Sequence, residues 1–394
     1  MKYFLLSLGL LFSVPSHSSL TPAEYAFIVE VTEQLEFEEV DEAKAALNEA
    51  LQINRSDYSR AVMLNILAQV LLAQGEGDVA RAHMEEALAM GVLPLSQQQQ
   101  MLYSVAQLYC ADEAWPQCIA KLSAWMALAP EKVTANSLML MARAHSGQED
   151  WPKVVMFAEQ AIQQAAVVPA SWFQLVVFAY TQQEQWPQSV VAQQRLVEAY
   201  PNTGEHWRQL VSLQLYSGQE GEALATQRLA YASHRLKTEA DINLLLQLLI
   251  QNKLPFQAAQ VLLDSIEQQT LSNNSGHLER LAQLWSASRE REKALTMSRK
   301  VHSVVNTEPS AFGLVSAQLA AHQWSAVVDV IAGFEERQQL SPRLTLRKGI
   351  ALLQLERFAE ARQSLESAAQ FAQSHLAAQR WLEYLSSLEG VPKS

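Results

Sequence analysis

The chain has 394 residues, of which 49% are hydrophobic and 18% are charged, and its formal net charge is −12. This apolar content supports a large core, but 394 residues exceed the length over which one compact core usually extends. The negative charge disfavours nucleic acid and anionic lipid surfaces as partners. A protein built of repeats, each burying its apolar face against its neighbours, fits these constraints.

Residues 1–18 have the pattern of a cleavable signal peptide. Lys2 supplies the positive start, an apolar run follows, and Ser16 and Ser18 place small residues at the two positions that a signal peptidase reads. The run is too short to span a bilayer as a helix, which requires about 20 apolar residues. We therefore expect a soluble periplasmic protein with no stable membrane anchor; a retained N-terminal anchor is the alternative.

A segment near the C-terminal end, residues 342–374, has the pattern of two short amphipathic helices joined by a tight turn. Gly349 allows the second helix to approach the first. Ala361, Leu365 and Ala368 follow at i, i+4 and i+7 and predict one buried face on the second helix. This pair of helices is the template for the rest of the chain.

The same layout recurs at intervals of 33 to 38 residues, resembling the 34-residue tetratricopeptide repeat (TPR). The resemblance covers residues 24–374 and implies an all-α TPR α-solenoid, a right-handed superhelix of about ten helix-turn-helix repeats. We expect the solenoid over residues 19–374, a capping helix over 375–390 and a disordered tail over 391–394. The small residues predicted to open the second helices are Ala43, Ala80, Cys118, Val154, Ser189, Ala223, Ala258, Ala294, Val327 and Ala361.

Three middle repeats carry a Trp-Pro pair at the predicted turn. Proline opens a helix at a position where its missing N–H does no harm, so each pair predicts the start of a second helix. The tryptophan is expected to pack against the turn of its own hairpin; a row of aromatic ligand platforms is the alternative. The pairs are Trp115-Pro116, Trp151-Pro152 and Trp186-Pro187.

Two stretches depart from the regular pattern. Residues 92–100 contain a proline and four consecutive glutamines, and residues 268–276 are rich in Ser, Asn and Gln. Both are expected to be irregular, and the second is expected to be a long loop between repeats.

The two cysteines, Cys110 and Cys118, flank a predicted hairpin turn. A disulfide between them would join the helices of one repeat and stabilise the fold by on the order of 2–3 kcal/mol through loop closure. Two separate buried thiols, packed as small hydrophobic groups, are also compatible with the sequence. Neither cysteine lies in a Cys-X-X-Cys motif or beside a basic cluster, which disfavours a redox-active pair.

The sequence contains no pattern of catalytic or metal-binding residues. Its nine histidines include no pair at i, i+4 with an adjacent glutamate, which is the pattern of a helix-borne zinc site. A phosphate-binding glycine loop and a Gly-X-Ser-X-Gly nucleophile turn are also missing. The sequence therefore predicts a protein that is not an enzyme and has no cofactor and no metal site.

The first helices of stacked TPR pairs line an inner groove, and the residues on this face are candidates for binding a protein or an extended peptide. Most candidates are neutral amides, which can pair with the backbone of an extended segment without a charge. An inner face that is merely soluble is the alternative, although Lys and Glu would serve that purpose. The candidates are Asn65, Gln69, Tyr103, Gln107, Asn136, Arg143, Gln174, Phe178, Arg208, Asn243 and Gln247.

The sixth and seventh repeats carry a narrower resemblance. Residues 206–215, 223–226 and 244–259 are similar to exported TPR proteins of marine gammaproteobacteria that are associated with TonB–ExbB–ExbD energy-transduction systems. The resemblance implies a periplasmic accessory protein of TonB-dependent uptake, for example of iron-siderophore complexes, with components of the TonB system as partners. A general scaffold for cell-wall or outer-membrane assembly, unrelated to TonB, is the alternative.

Overall fold

A computed structural model of the chain describes residues 20–37, 39–53, 55–336 and 340–389. Within these ranges the chain forms α-helices, one short 3-10 turn and connecting loops, and it contains no β-strand. The predicted signal peptide and the predicted tail lie outside the described residues. The chain divides into two compact units, Met1–Tyr200 and Pro201–Ser394, and each is described by itself.

Unit 1 contains five helix pairs joined by short turns. Each helix packs against the helix before it and the helix after it, so every pair is stacked on the next. The helices are α1 (Pro22–Glu36), α2 (Val40–Leu51), α3 (Asp57–Ala73), α4 (Gly77–Ala89), α5 (Leu95–Ala111), α6 (Trp115–Leu128), α7 (Ala135–Ser146), α8 (Trp151–Gln164), α9 (Ala170–Gln182) and α10 (Trp186–Ala199).

Unit 2 contains five further pairs and a final helix that packs on the last pair. The helices are α11 (Gly204–Tyr216), α12 (Glu220–Ala232), α13 (Glu239–Gln251), α14 (Pro255–Glu267), α15 (Ser275–Ala287), α16 (Arg291–Val305), α17 (Glu308–Ala320), α18 (Trp324–Glu336), α19 (Pro342–Gln354), α20 (Phe358–Ala369) and α21 (His375–Glu389). In α21, the side chain of Leu385 is fully buried in a cluster with Leu352, Leu353 and Ala361.

The small residues at the predicted repeat positions are buried in all ten pairs, from Ala43 in the first to Ala361 in the last. Ala294 is 3% exposed and the other nine are fully buried. At Gly349, a Cβ would lie 2.7 Å from the side chain of Leu365, which shows how closely α19 and α20 approach. The predicted all-α architecture of TPR-type helix pairs is therefore confirmed.

The turn inside each pair has a repeated backbone geometry. In nine pairs a residue with positive φ lies five positions before the small residue, and the next N–H donates to the carbonyl five residues back. This is the Schellman motif that commonly ends an α-helix. Only Gly75 and Gly218 use glycine there; Glu113, Glu149 and Glu184 adopt the left-handed conformation although it is unfavourable for L-residues.

The three Trp-Pro pairs open α6, α8 and α10, as predicted. Two of the tryptophans contact the following pair. The ring of Trp115 covers Gly147, where an added Cβ would lie 2.3 Å from the indole, and Trp151 packs edge-to-face on Phe178 at 5.4 Å. Trp115 and Trp151 therefore pack between repeats, and all three tryptophans are half-buried.

One of the two stretches expected to be irregular is helical over most of its length. The four glutamines lie in α5, and Gln99 is 5% exposed because its Nε2 donates to the Leu128 carbonyl at 2.9 Å and its Oε1 accepts from Lys132 Nζ at 2.6 Å. The prediction was therefore wrong for residues 95–100, whereas residues 92–94 form a connection outside the helices, as predicted. The second stretch is a loop between α14 and α15, and Leu271 anchors it with a buried side chain.

Candidate functional site

In unit 1, three candidates occupy equivalent positions on successive first helices. Gln107 on α5, Arg143 on α7 and Phe178 on α9 are separated by 36 and 35 residues, and all three are exposed. The side chains of Gln107 and Arg143 make no hydrogen bond or ion pair to any described residue. Phe178 is 47% exposed and rests on Trp151, so an exposed hydrophobic ring follows two free polar side chains in the series of first helices.

Two further candidates extend this surface. Gln174 lies one helical turn before Phe178, and Asn136 lies at the beginning of α7, about two turns before Arg143. Both are exposed, and neither side chain has a hydrogen-bond partner among the described residues. Together these residues form the unit 1 face, which consists of Gln107, Asn136, Arg143, Gln174 and Phe178.

The other candidates in unit 1 are half-buried. Gln69 Nε2 donates to Asn65 Oδ1 at 3.4 Å, so these two amides on α3 partly satisfy each other. The ring of Tyr103 lies 4.4 Å from that of Trp125, and burial raises the pKa of its hydroxyl. Tyr103 is therefore chiefly a packing residue of the third pair.

In unit 2, the guanidinium of Arg208 is already occupied. Its Nε and Nη2 bond both carboxylate oxygens of Asp241 at 2.8 and 3.2 Å, and its Nη1 bonds Glu205 at 3.0 Å. Burial disfavours ionisation of Asp241, but hydrogen bonds from Arg208 and Thr238 outweigh it and hold the carboxyl pKa below its usual range. Arg208 therefore ties α11 to α13.

Asn243 has a similar role, because its Oδ1 accepts from Arg280 Nη1 at 2.9 Å and so joins α13 to α15. Gln247 is exposed and makes no side-chain hydrogen bond to a described residue. The candidates that are exposed and free thus lie mainly in unit 1. The sequence signal that would have separated the two groups is a polar partner about one repeat away, as Asp241 is from Arg208 and Arg280 from Asn243.

The two cysteines are joined by a disulfide, with a Cα–Cα distance of 5.0 Å. The bond connects the end of α5 to the beginning of α6. Cys118 is fully buried and Cys110 is 8% exposed, and both pack in a cluster with Leu122 and Met141. The bridge is therefore part of the core of the third pair.

Among the described residues, no three His, Cys, Asp or Glu side chains are grouped closely enough to hold a metal ion. His145 is 4% exposed and stacks on Phe157, and burial is the main reason that the pKa of its imidazole is lowered. Over the same residues, every helix is too short or too polar to cross a bilayer.

No family model and no curated protein sequence matches the chain. It has remote structural similarity to a tetratricopeptide repeat protein from Parabacteroides merdae, at 12% identity, 76% coverage of this chain, 100% of that chain and a TM-score of 0.37. For the C-terminal part of a TPR repeat-containing protein from Cytophaga hutchinsonii, the corresponding values are 11%, 72%, 98% and 0.38. The fold is of the TPR type. This follows from the ten helix pairs of the chain itself.

Proposed function

We propose that this chain is a protein-binding scaffold, and that the unit 1 face holds a protein or an extended peptide. The observation that carries the proposal is that Gln107, Arg143 and Phe178 occupy equivalent positions on three successive first helices and are all exposed, and that the two polar side chains have no partner among the described residues. Arg208 and Asn243, which lie one helical turn earlier on first helices of unit 2, are instead used for bonds between helices.

The chemistry of the unit 1 face suits an extended backbone. Its amides can both donate to carbonyl groups and accept from N–H groups, and its guanidinium adds a charged donor. Phe178 supplies an exposed aromatic ring that a partner can bury as an anchor of the interface. Because these side chains project from packed helices, little conformational freedom of the backbone is lost when a partner binds.

The location that we propose is the periplasm, with a role as an accessory component of TonB-dependent uptake. The signal-peptide pattern of residues 1–18 supports export, and a disulfide suits an oxidising compartment. The resemblance over residues 206–259 supports the TonB pathway. The second possible function is a scaffold for envelope assembly. It is favoured because the exposed candidate residues lie in unit 1, whereas the resemblance to TonB-associated proteins lies in unit 2.

A capture experiment with charge-matched variants tests the binding role. Gln107→Glu with Gln174→Glu adds two negative charges to the unit 1 face, and Gln160→Glu with Gln194→Glu adds two at exposed positions on the second helices α8 and α10. The tagged full-length protein and both variants are used to capture partners from a periplasmic extract, which are then identified by mass spectrometry. We expect the first variant alone to lose its partner; retention by the first variant would refute the proposed site.

The identity of the captured proteins, together with growth under iron limitation, separates the two pathways. A TonB-system component on the unmutated protein and slower growth of a deletion strain without free iron support the uptake role. Capture of cell-wall or outer-membrane assembly proteins, with normal growth under iron limitation, supports the envelope scaffold.

A further inference from the structure

The final helix, α21, has apolar side chains on its outer face as well as on its inner face. The inner face packs against α19 and α20 and includes Ala378 and Leu385, which are fully buried. On the outer face, Leu376 is 62% exposed, Tyr384 is 47% exposed and Leu388 is 40% exposed. No other helix in the described part of the chain exposes as many as three large hydrophobic side chains.

This outer face differs from what the end of a repeat array requires. A terminal element needs a polar outer face if it is to remain in water. The preceding helix, α20, has such a face, because it exposes Glu360, Gln363 and Glu366 and none of its large hydrophobic side chains. An apolar outer face on the last helix therefore indicates a surface that another protein surface covers.

The exposed residues form one row with a symmetric order. Leu376, Arg380, Tyr384 and Leu388 follow one another at intervals of four and so lie along one side of α21. Arg380 is exposed and makes no ion pair or hydrogen bond with a described residue. In either direction the row begins and ends with leucine, and its middle holds a cation next to an aromatic ring. A two-fold contact requires this kind of order, because residue i of one copy contacts j of the other and j contacts i.

An antiparallel contact between two copies of α21 gives every member of the row a suitable partner. When the two-fold axis passes between Arg380 and Tyr384, Leu376 opposes the partner's Leu388 at both ends. Each Arg380 then opposes the partner's Tyr384, and a guanidinium over an aromatic ring is favourable, more so where water is excluded. The chain uses the same pair between two of its own helices, where the guanidinium carbon of Arg81 lies 4.5 Å from the centre of the Tyr109 ring.

The local charge of α21 also permits such a contact. The net charge of −12 makes two copies of the chain repel each other. On α21, the described side chains that are charged at neutral pH are Arg380 and Glu383, one of each sign, and both are exposed. Two copies can therefore meet at this helix without a local excess of negative charge.

We propose that the protein forms a homodimer through an antiparallel contact between α21 and the same helix of a second copy. In this contact Leu376 packs on the partner's Leu388, and Arg380 lies over the partner's Tyr384. The final helix then has two roles, because its inner face completes the core of the last pair and its outer face forms the interface. The inference goes beyond the proposed function and does not depend on it.

Sedimentation equilibrium of the full-length protein tests the dimer. We expect the measured mass to approach twice that of one chain as the concentration rises from about 1 to 100 µM, the range expected for a contact of one helix per copy. Leu376→Glu places a carboxylate in the row and should weaken the dimer by about tenfold or more. Leu229→Glu is the matched control at a leucine of α12 that is 59% exposed, and it should leave the dimer unchanged.

An exchange of the two central residues tests the pairing itself. Arg380→Tyr opposes two rings and Tyr384→Arg opposes two cations, so each single variant should weaken the dimer. The double variant, Arg380→Tyr with Tyr384→Arg, restores both pairs with their roles exchanged and should recover the dimer. A role of Tyr384 limited to its own helix, where its ring lies 5.9 Å from that of Trp381, predicts no recovery, because that contact is still missing in the double variant.

Three results would overturn the proposal. A monomer at every concentration would mean that a different protein covers the row. A dimer that Leu376→Glu does not weaken would have its interface elsewhere, and a double variant as weak as the single variants would refute the pairing. Circular dichroism should show the same helix content in all variants, because the changed positions are exposed. None of these results affects the capture experiment on the unit 1 face, so the two proposals can fail separately.

Discussion

At the scale of single residues, Gly147 is the described glycine at which an added Cβ would meet the closest neighbour. An added Cβ would lie 2.3 to 2.6 Å from atoms of the Trp115 indole. We predict that Gly147→Ala lowers the free energy of unfolding by about 1–3 kcal/mol, because the ring must leave its packed position. Gly221→Ala is the matched control, since no atom lies within 4 Å of its added Cβ, and it should leave stability unchanged or slightly higher. Urea denaturation measures both; equal effects of the two substitutions would contradict the steric explanation.

His145 makes stability depend on pH. Its pKa is lowered in the folded protein, mainly by burial and further by Lys153, against a weaker attraction from Asp150. The unfolded chain then binds more protons than the folded chain below about pH 6.5, so the free energy of unfolding decreases as the pH falls through that region.

We predict that His145→Gln reduces the difference in urea midpoint between pH 7.5 and pH 5.5. His206, whose pKa burial also lowers, should retain part of that difference. His234→Gln at an exposed position is the control and should leave the pH difference as it is. A His145→Gln protein with the full pH difference would show that His145 does not contribute to it.

At the scale of helices and pairs, the disulfide is the covalent element of the third repeat. Cys110 and Cys118 are 8 residues apart. By closing this loop in the unfolded chain, the disulfide stabilises the folded protein by on the order of 2–3 kcal/mol. We predict that a reductant lowers the urea midpoint of the oxidised protein, because the free energy of unfolding decreases by that amount. The variant Cys110→Ser with Cys118→Ser should begin at the lower midpoint and show no response to the reductant. An identical midpoint with and without reductant in the original protein would contradict a stabilising bridge.

The order of the helices could be predicted from the sequence because local patterns determine it. The ten small residues recur at nearly constant intervals, and Trp-Pro pairs mark three helix starts. Two features could not be predicted because they depend on distant groups or on backbone strain. Gln99 is helical and buried because the Leu128 carbonyl and Lys132 satisfy its amide. Glu149 and the equivalent residues of six other turns adopt positive φ without the glycine that would signal it.

The candidate surface could be predicted only in part. Helical periodicity places Gln107, Arg143 and Phe178 on first helices, and they are exposed there. The same periodicity cannot reveal that Arg208 is occupied by Asp241, because that bond joins residues 33 positions apart in adjacent repeats. Periodicity therefore selects a helix face, whereas the availability of a side chain depends on its partner in the next repeat.

At the scale of the whole molecule, ten helix pairs occupy two compact units, and within each unit every pair packs against its neighbours. In such an array stability is distributed over many similar interfaces, and a large exposed surface is left for a partner. The central claim is that the exposed first helices of unit 1 bind a protein.

Hydrogen–deuterium exchange of the full-length protein, with and without its captured partner, tests this claim most directly. Binding at the unit 1 face should slow exchange in α5, α7 and α9, because the partner suppresses local opening of the helices that it contacts. The second helices α6, α8 and α10 should change less. Slower exchange confined to the second helices, or absent from unit 1 altogether, would contradict the account.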